Sequence, residues 1–358
     1  MMAHRELGAK SGNVDDQFFL GLAYLHGIHG CNLDEKMGVF WLTAAAEQND
    51  PNAQCLLGLC HESGSGVSRR DHEKAFCLFQ KAARQNHPGG LYQLGVSYFH
   101  YKQETKRAVK YIELAASLHD ADAQHALGMC YLHGLGVDKD AVQAFQYFSA
   151  SAEQGHAGGQ YNTGLAYLNG DGIPVDLIEA VGLLQLASDQ GLATAQTTLG
   201  DCYGTGKGVL LDLGKAARLY QQACDRKHTD AQIKLGLCYL NGKGVVPNDE
   251  VGFQHLLQAA KTNHVEGQYH VACCYQKGRG VKRCLREAVK WFLRSANLGH
   301  VLSCHELGRC YEYGVGVQTN NMHALEWYTT AANKGCLRAQ LDLSLFCVMK
   351  SQSANSQT

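Results

Sequence analysis

The stretch that decides the fold reads AQHALGMCYLHGLGV and occupies residues 123–137. Variants of it return along the whole chain. The glycine in its sixth place, or a small residue replacing it, is found at Gly21, Gly58, Gly95, Gly128, Gly164, Gly200, Gly236, Ala272, Gly308 and Ser344. The step is 36 residues from Gly128 onward, and it is 37, 37 and 33 residues between the first four copies. Such a step is typical of stacked units, none of which can bury its apolar face alone.

Each unit is predicted to be a pair of helices. In the copy at 230–263, the spacing of Ala231, Leu235 and Tyr239 puts them on one face of a helix, which we call helix A. Glycines close this helix, and a second helix, helix B, follows an Asp or Asn N-cap. The predicted caps of helix B are Asp34, Asp71, Asp140, Asp176, Asp212, Asn248 and Asn320. The predicted fold class is all-α, a right-handed α/α superhelical solenoid of about nine full helix-turn-helix repeats with a half-repeat at each end.

The repeats also predict the boundaries of the chain's parts. Residues 1–12 match the last turns of a helix B, residues 13–349 form the solenoid, and residues 350–358 are polar and expected to be disordered. Helix B ends in a pair of small residues, such as Ala82-Ala83. Because a glycine inside helix A is costly for the helix, we expect it to permit close approach of this small pair.

Composition narrows the classes of function. The chain of 358 residues has 32 basic and 33 acidic side chains and a formal net charge of −1. The sequence has no block of basic residues of the kind that would predict nucleic-acid binding. Residues 1–12 lack the apolar core of a secretory signal, and no apolar run is long enough for a bilayer span. We therefore expect no nucleic-acid partner, no membrane insertion and a cytoplasmic location.

Six of the fifteen cysteines share one phase of the repeat, two residues after its glycine: Cys60, Cys130, Cys202, Cys238, Cys274 and Cys310. Ala and Ser fill the same place in other copies, which predicts a small, buried packing position. Neighbouring units are expected to place these residues about 8–10 Å apart or more, beyond the reach of a disulfide. Reduced cysteines and an intracellular compartment are therefore expected.

The sequence offers little support for a metal, a cofactor or catalysis. Cys304, His305 and Cys310 are metal-ligand types, but they lack the paired spacing of a zinc site. The Gly-Lys-Gly at 206–208 has no preceding strand, so helix capping explains it better than phosphate binding. The eighteen histidines are scattered over the repeats and define no catalytic pair. We therefore expect no metal, no cofactor and no enzyme activity.

The repeat resembles the Sel-1-like repeat, a relative of the tetratricopeptide repeat. Residues 123–137 match its pattern nearly throughout, whereas His61 replaces its tyrosine and Val271-Ala272 replaces its Leu-Gly. The resemblance implies an α/α superhelix that acts as an adaptor or scaffold. A cysteine-rich secreted branch of the family suggests a hydrolase-type enzyme as the alternative. That branch places disulfides between helices, and this sequence does not follow its cysteine positions.

A helical wheel locates the candidate binding surface on helix A, opposite its core face. That face holds the residues one and five after the repeat glycine and the residues two and three before it. The residue one after the repeat glycine is apolar in the early repeats. It either lines a groove or contacts the next helix A. The polar candidates are His133, Asn162, Asn169, Lys234, Asn241, His270, Lys277 and Tyr313. Each of them could instead be an ordinary solvated residue.

The predicted function is a non-catalytic scaffold that binds a peptide segment or a partner protein on this concave surface. Asn169 and Asn241 can each donate to and accept from a peptide backbone. Lys234, Lys277 and His270 give the expected band of side chains a mildly positive stretch, which suits an acidic or carboxyl-terminal ligand segment.

Overall fold

The structure is a computed structural model that describes the backbone of residues 2–355 and the side chains of residues 3–348. Over this range it contains twenty α-helices and no strand, and consecutive helices pack as pairs. The predicted all-α solenoid of helix pairs is thereby confirmed. The chain divides into two compact units between Leu183 and Leu184, inside α11.

In the first unit, the A helices are α2 (Val14–His26), α4 (Pro51–Ser63), α6 (Pro88–Ser97), α8 (Ala121–His133) and α10 (Ala157–Asn169). Its B helices are α1 (Met2–Lys10), α3 (Glu35–Glu47), α5 (His72–Arg84), α7 (Thr105–Ser117), α9 (Ala141–Glu153) and the first half of α11 (Leu177–Asp189). The second unit contains the A helices α12 (Ala193–Thr205), α14 (Thr229–Asn241), α16 (Val265–Lys277), α18 (Val301–Tyr313) and α20 (Leu337–Asn355). Its B helices are the rest of α11 and then α13 (Leu213–Asp225), α15 (Asp249–Lys261), α17 (Leu285–Asn297) and α19 (Asn321–Asn333).

The loop glycines have two separate roles. Gly134 closes α8 in the left-handed conformation, with φ 72°, and its N–H donates to Cys130 O. The second glycine, Gly136, has φ 76° and packs on the first turn of the preceding helix B, where a Cβ would lie 2.8 Å from Thr105 O. The Gly-x-Gly pattern therefore ends one helix and brings it against the neighbouring repeat.

The repeat glycine of helix A packs against helix B, but the expectation of contact through the small pair is wrong. A Cβ on Gly128 would lie 2.6 Å from the ring of Phe148, three residues before the small pair of α9. The small pair instead receives the next helix A, since a Cβ on Gly90 would lie 2.6 Å from Ala82 Cβ. Glycine is needed because a large side chain of helix B occupies the space beside it.

The third repeat is the irregular one, because its loop is three residues shorter. After α6 the chain makes a π-helical turn, Tyr98–Lys102. Gln103 then takes the left-handed conformation with φ 54°, in the place where other repeats have glycine. The Tyr98 ring stacks on Tyr111 with centroids 5.4 Å apart, which ties this turn to helix B.

The last helix extends further than the sequence suggested. α20 continues through residues 350–355, part of the segment for which disorder was expected. No glycine or proline interrupts this segment, so nothing in it ends the helix. The remainder of that segment, residues 356–358, lies outside the described residues.

The six in-phase cysteines are buried, which confirms the predicted packing position. Burial raises the pKa of the Cys60, Cys130 and Cys274 thiols to about 11. All fifteen cysteines lie within the described part of the chain, and none of them forms a disulfide there.

Candidate functional site

The eight predicted site residues fall into two groups along helix A. Five of them are the exposed last residues of their helices: His133, Asn169, Asn241, Lys277 and Tyr313. The other three lie near the middle of their helices and are half-buried: Asn162, Lys234 and His270. The first unit holds His133, Asn162 and Asn169, and the second holds the remaining five. The two groups do different things.

The half-buried group lies where neighbouring A helices meet, at a contact that we call the A–A seam. In the first unit, Asn162 Nδ2 lies 2.9 Å from His125 Nε2 and 3.7 Å from Met129 Sδ. Met129 is the residue after the repeat glycine, whose role the sequence left open. At this repeat it contacts the next helix A. Asn162 is therefore part of the packing between two repeats.

In the second unit the corresponding seam is charged. Lys234 Nζ lies 2.9 Å from Asp201 Oδ1, and the hydroxyl of Tyr220 donates to the same oxygen at 2.7 Å. Burial and this hydrogen bond raise the pKa of the Tyr220 phenol. Asp201 therefore joins helix B of its own repeat to the next helix A.

The mildly positive stretch expected on this surface is largely neutralised. The Lys234 ammonium is paired with Asp201. His270 Nε2 lies 3.6 Å from Glu266 Oε1, and burial lowers the pKa of the His270 imidazole. Neutral imidazole adds no positive charge. The charge argument for an acidic ligand at this surface therefore fails at Lys234, whose charge Asp201 compensates, and at His270, where burial disfavours the charged imidazole.

Two of the predicted residues line one groove. The groove has a volume of about 230 Å³, and both Asn162 and Asn169 face it from α10. The rest of its lining is mostly apolar and comes from α8, α9 and α10: Leu132, Ala141, Ala144, Phe145, Phe148, Leu165 and Ala166, together with Asp171 in the following loop. Asn169 Nδ2 donates to Asp171 Oδ2 at 3.2 Å. The arrangement is an apolar groove bordered by two carboxamides.

The sequence reasoning missed a role for histidine at the start of helix A. His87 Nδ1 accepts from Gly90 N at 3.0 Å, and His156 Nδ1 accepts from Gly159 N at 3.0 Å. His264 and His300 make the same capping contact. Burial lowers the pKa of the His87 imidazole, as fits a nitrogen that must stay unprotonated to accept. All four lie eight residues before the repeat position, a shared phase that could have revealed them.

Neither a metal cluster nor a spanning helix is found in the part of the chain that the structure describes. Among those residues no group of three or more His, Cys, Asp or Glu side chains is placed to hold a metal ion. No helix there has the length and apolar character that crossing a membrane would require.

The chain matches one repeat family along most of its length. Nine consecutive segments match the Sel1 repeat, namely residues 14–50, 51–87, 88–120, 121–156, 157–192, 193–228, 229–264, 265–300 and 301–336.

Among solved structures, the chain is similar to a protective antigen of uropathogenic Escherichia coli with an SLR fold. That similarity has 29% sequence identity and a TM-score of 0.74, and it covers 96% of this chain and 74% of the antigen. A Sel1 repeat protein from Oxalobacter formigenes is similar at 28% identity and a TM-score of 0.63, over 67% of this chain and 96% of that protein. Both likenesses agree with the fold described above.

The curated relatives match over shorter segments. The ERAD-associated E3 ubiquitin-protein ligase component HRD3B of Arabidopsis thaliana is 34% identical over 93 residues, 26% of this chain and 14% of that protein. DAP3-binding cell death enhancer 1 of Mus musculus is 38% identical over 80 residues, 22% of this chain and 15% of that protein. The match therefore spans only a small part of each relative's length.

Proposed function

The chain belongs to the Sel1 repeat family, and we propose that it is a non-catalytic adaptor that binds a peptide segment or partner protein on the surface of its A helices. The observation that carries this proposal is the groove bordered by Asn162 and Asn169. Its apolar lining can bury side chains of a ligand, while carboxamides at its border can bond to a peptide backbone. The names of two relatives, a ligase component and a DAP3-binding protein, support a role in protein interaction.

The exposed residues at the ends of the A helices extend the proposed surface. His133 and Asn169 lie at equivalent places in the first unit, as do Asn241, Lys277 and Tyr313 in the second. The Tyr313 side chain is 63% exposed, so a ligand could cover a large aromatic surface there. Within each unit, these side chains recur at the repeat spacing, and they would contact an extended ligand at intervals.

The experiment is affinity capture with the full chain, followed by identification of the partner and titration of that partner against variants. Asn169→Ala removes a carboxamide at the groove, and Gln221→Ala is a matched change on the exposed surface of helix B. We expect Asn169→Ala to weaken binding and Gln221→Ala to leave it unchanged. Equal affinity of wild type and Asn169→Ala, with loss of binding in Gln221→Ala, would place the interaction on the B helices instead.

An enzyme of the hydrolase type is the second candidate, and we disfavour it. Two titratable side chains on the proposed surface have structural partners: Lys234 pairs with Asp201, and His270 lies beside Glu266. A general base needs a substrate proton within reach and a pKa suited to its task.

The cytoplasmic location also stays a prediction, since one relative is named as ERAD-associated.

A further inference from the structure

The second unit has a pocket whose lining shares no residue with the groove of the proposed function. It has a volume of about 640 Å³ and is bounded by the end of α11, the start of α12 and one face of α13. This volume lies within the range of about 300–1,000 Å³ that is typical of small-ligand sites. Most of its lining residues have polar or charged side chains, and one of these side chains is buried with an unused hydrogen-bonding atom.

That side chain is Gln196, which is only 5% exposed. Its Nε2 donates to Ser188 O at 3.4 Å, whereas its Oε1 is buried and accepts no hydrogen bond. Buried polar atoms in folded proteins are almost always paired. A ligand N–H that reached this oxygen would supply the missing donor.

The first unit shows what normally pairs with this oxygen. The same glutamine recurs at the start of helix A, and in three repeats of the first unit its Oε1 accepts from a glutamine that follows the next helix B. The pairs are Gln17 with Gln48 at 2.8 Å, Gln54 with Gln85 at 3.1 Å, and Gln124 with Gln154 at 2.7 Å. The residue that follows α13 is Arg226. The pairing is therefore broken by a substitution that introduces a cation.

Arg226 does not replace the lost hydrogen bond. Its guanidinium packs directly against Gly191, in space that a Cβ at that position would occupy. Gln268 also has an unpaired Oε1, but there the equivalent residue is the apolar Leu298. Gln196, which has the unpaired acceptor, and Arg226, which has the guanidinium, both line the same pocket.

The charges of the pocket favour an anion. Among the residues of the second unit that line it, three are cationic and two are anionic: Lys215, Arg218, Arg226, Asp189 and Asp225. Each carboxylate accepts from a glutamine of its own helix, Asp189 from Gln185 at 2.7 Å and Asp225 from Gln221 at 2.9 Å. Lys215 Nζ donates to Tyr203 Oη at 2.6 Å. The lining therefore has one more cation than anion, and Arg218 and Arg226 supply its two planar guanidinium groups.

We propose that this pocket binds a peptide carboxylate that has a backbone N–H beside it. The carboxylate is bound by the guanidiniums of Arg218 and Arg226, whose planar donors match its two oxygens. The neighbouring N–H donates to Gln196 Oε1. The last residue of a peptide chain offers this combination, and so does an internal aspartate. The site is distinct from the surface of the A helices, so failure of one proposal leaves the other standing.

The test is calorimetric titration of the full chain with acetyl-Ala-Ala-Ala carrying a free carboxylate. We expect saturable binding that weakens by about tenfold or more when the peptide ends in a carboxamide, because a charge-assisted contact is lost. N-methylation of the last residue removes the donor and should also weaken binding. A fourth peptide, acetyl-Ala-Asp-Ala carboxamide, distinguishes an internal aspartate from a chain terminus as the source of the carboxylate.

Arg226→Gln is the decisive variant, because it restores the residue that pairs with this glutamine in the first unit. It should close the pocket and lower affinity about tenfold or more, while the melting temperature stays equal or rises. Lys261→Ala removes one exposed cation of α15, outside the lining, and should bind as wild type does. The proposal is overturned if neither carboxylate peptide binds at millimolar concentration, if amidation has no effect, or if Arg226→Gln binds normally.

Discussion

The A–A seams of the two units are built at the same repeat positions from different chemistry. In the first unit, Asn162 meets a histidine nitrogen and a methionine sulfur, and no ion pair is involved. In the second, Lys234 meets Asp201, which also binds a tyrosine hydroxyl. In both units the repeat glycine packs against a large aromatic side chain of helix B, Phe148 beside Gly128 and Tyr328 beside Gly308. The chemistry of the seam can therefore vary while this contact between helix A and helix B is kept.

The largest effect should appear where the units are alike. Gly128→Leu in the first unit and Gly308→Leu in the second would each force a side chain into an aromatic ring, since a Cβ would lie 2.6 Å from the Phe148 ring and 2.5 Å from the Tyr328 ring. We expect each to lower the free energy of unfolding by about 3 kcal/mol or more, the upper range for overpacking. Urea denaturation measures this.

The control for the glycine substitutions is Gly182→Ala. This glycine lies within α11, and a Cβ there would meet no atom within 4 Å. The substitution should raise the free energy of unfolding by about 0.5–1 kcal/mol, because alanine is more favourable than glycine in the interior of a helix. If Gly128→Leu and Gly308→Leu differed widely, the two units would not share one core.

The second prediction uses Asn169 and Asn241, which occupy the same place in different units. The double substitution Asn169→Ala with Asn241→Ala should weaken partner binding by about 1–3 kcal/mol, as for lost buried hydrogen bonds. Both residues are exposed, so stability should hardly change. Titration of each single variant shows which unit carries the loss. Retained binding in the double variant, with loss on changing Arg218 and Gln221, would assign binding to α13, whose Arg218 lines the pocket of the second unit.

The third prediction concerns the neutral histidine of the first unit's seam. Burial, with a smaller contribution from His156, lowers the pKa of His125 to about 4 from its ordinary value of 6.5. The folded state therefore binds fewer protons than the unfolded state. The stability that depends on neutral His125 is complete above about pH 6.5 and is lost as the pH falls from about 6.5 to 4.

His125→Gln removes this titration and keeps a side-chain acceptor for Asn162. The loss of melting temperature between about pH 7 and pH 4.5 should be smaller in this variant than in wild type. His133→Gln is the matched control, because that histidine is exposed at the end of α8. An acid response of His125→Gln identical to that of wild type would show that protonation of this seam does not govern it.

Most of the fold follows from the sequence because it is locally encoded. Asp140 caps helix B, and Gly134 closes helix A, by bonds within a few residues. The candidate site depends on contacts between repeats, which the wheel positions leave open. The pairing of Lys234 with Asp201 could be predicted only if the register of two neighbouring A helices were known. Likewise, the unpaired oxygen of Gln196 could be predicted only if it were known that Arg226, which follows a different helix, lies in the same pocket. Histidine caps were missed because Ser, Thr, Asp and Asn are the usual residues there.

The smallest effect should separate the two seams by their response to salt. The test is a double-mutant cycle made of Lys234→Ala, Asp201→Asn and the double variant. Asparagine is chosen at 201 because its carboxamide oxygen can still accept from the hydroxyl of Tyr220. The paired side chains are 37% and 44% exposed, so we expect a coupling energy of only about 0.2–1 kcal/mol. That coupling should fall between about 0.1 M and 1 M salt, because the Debye length shortens from about 10 Å to 3 Å. A matched cycle of Asn162→Ala with His125→Ala in the first unit should keep its coupling, since no charge pair is involved at neutral pH. If the coupling energies of the two cycles responded to salt in the same way, the ion pair would not distinguish the seam of the second unit from that of the first.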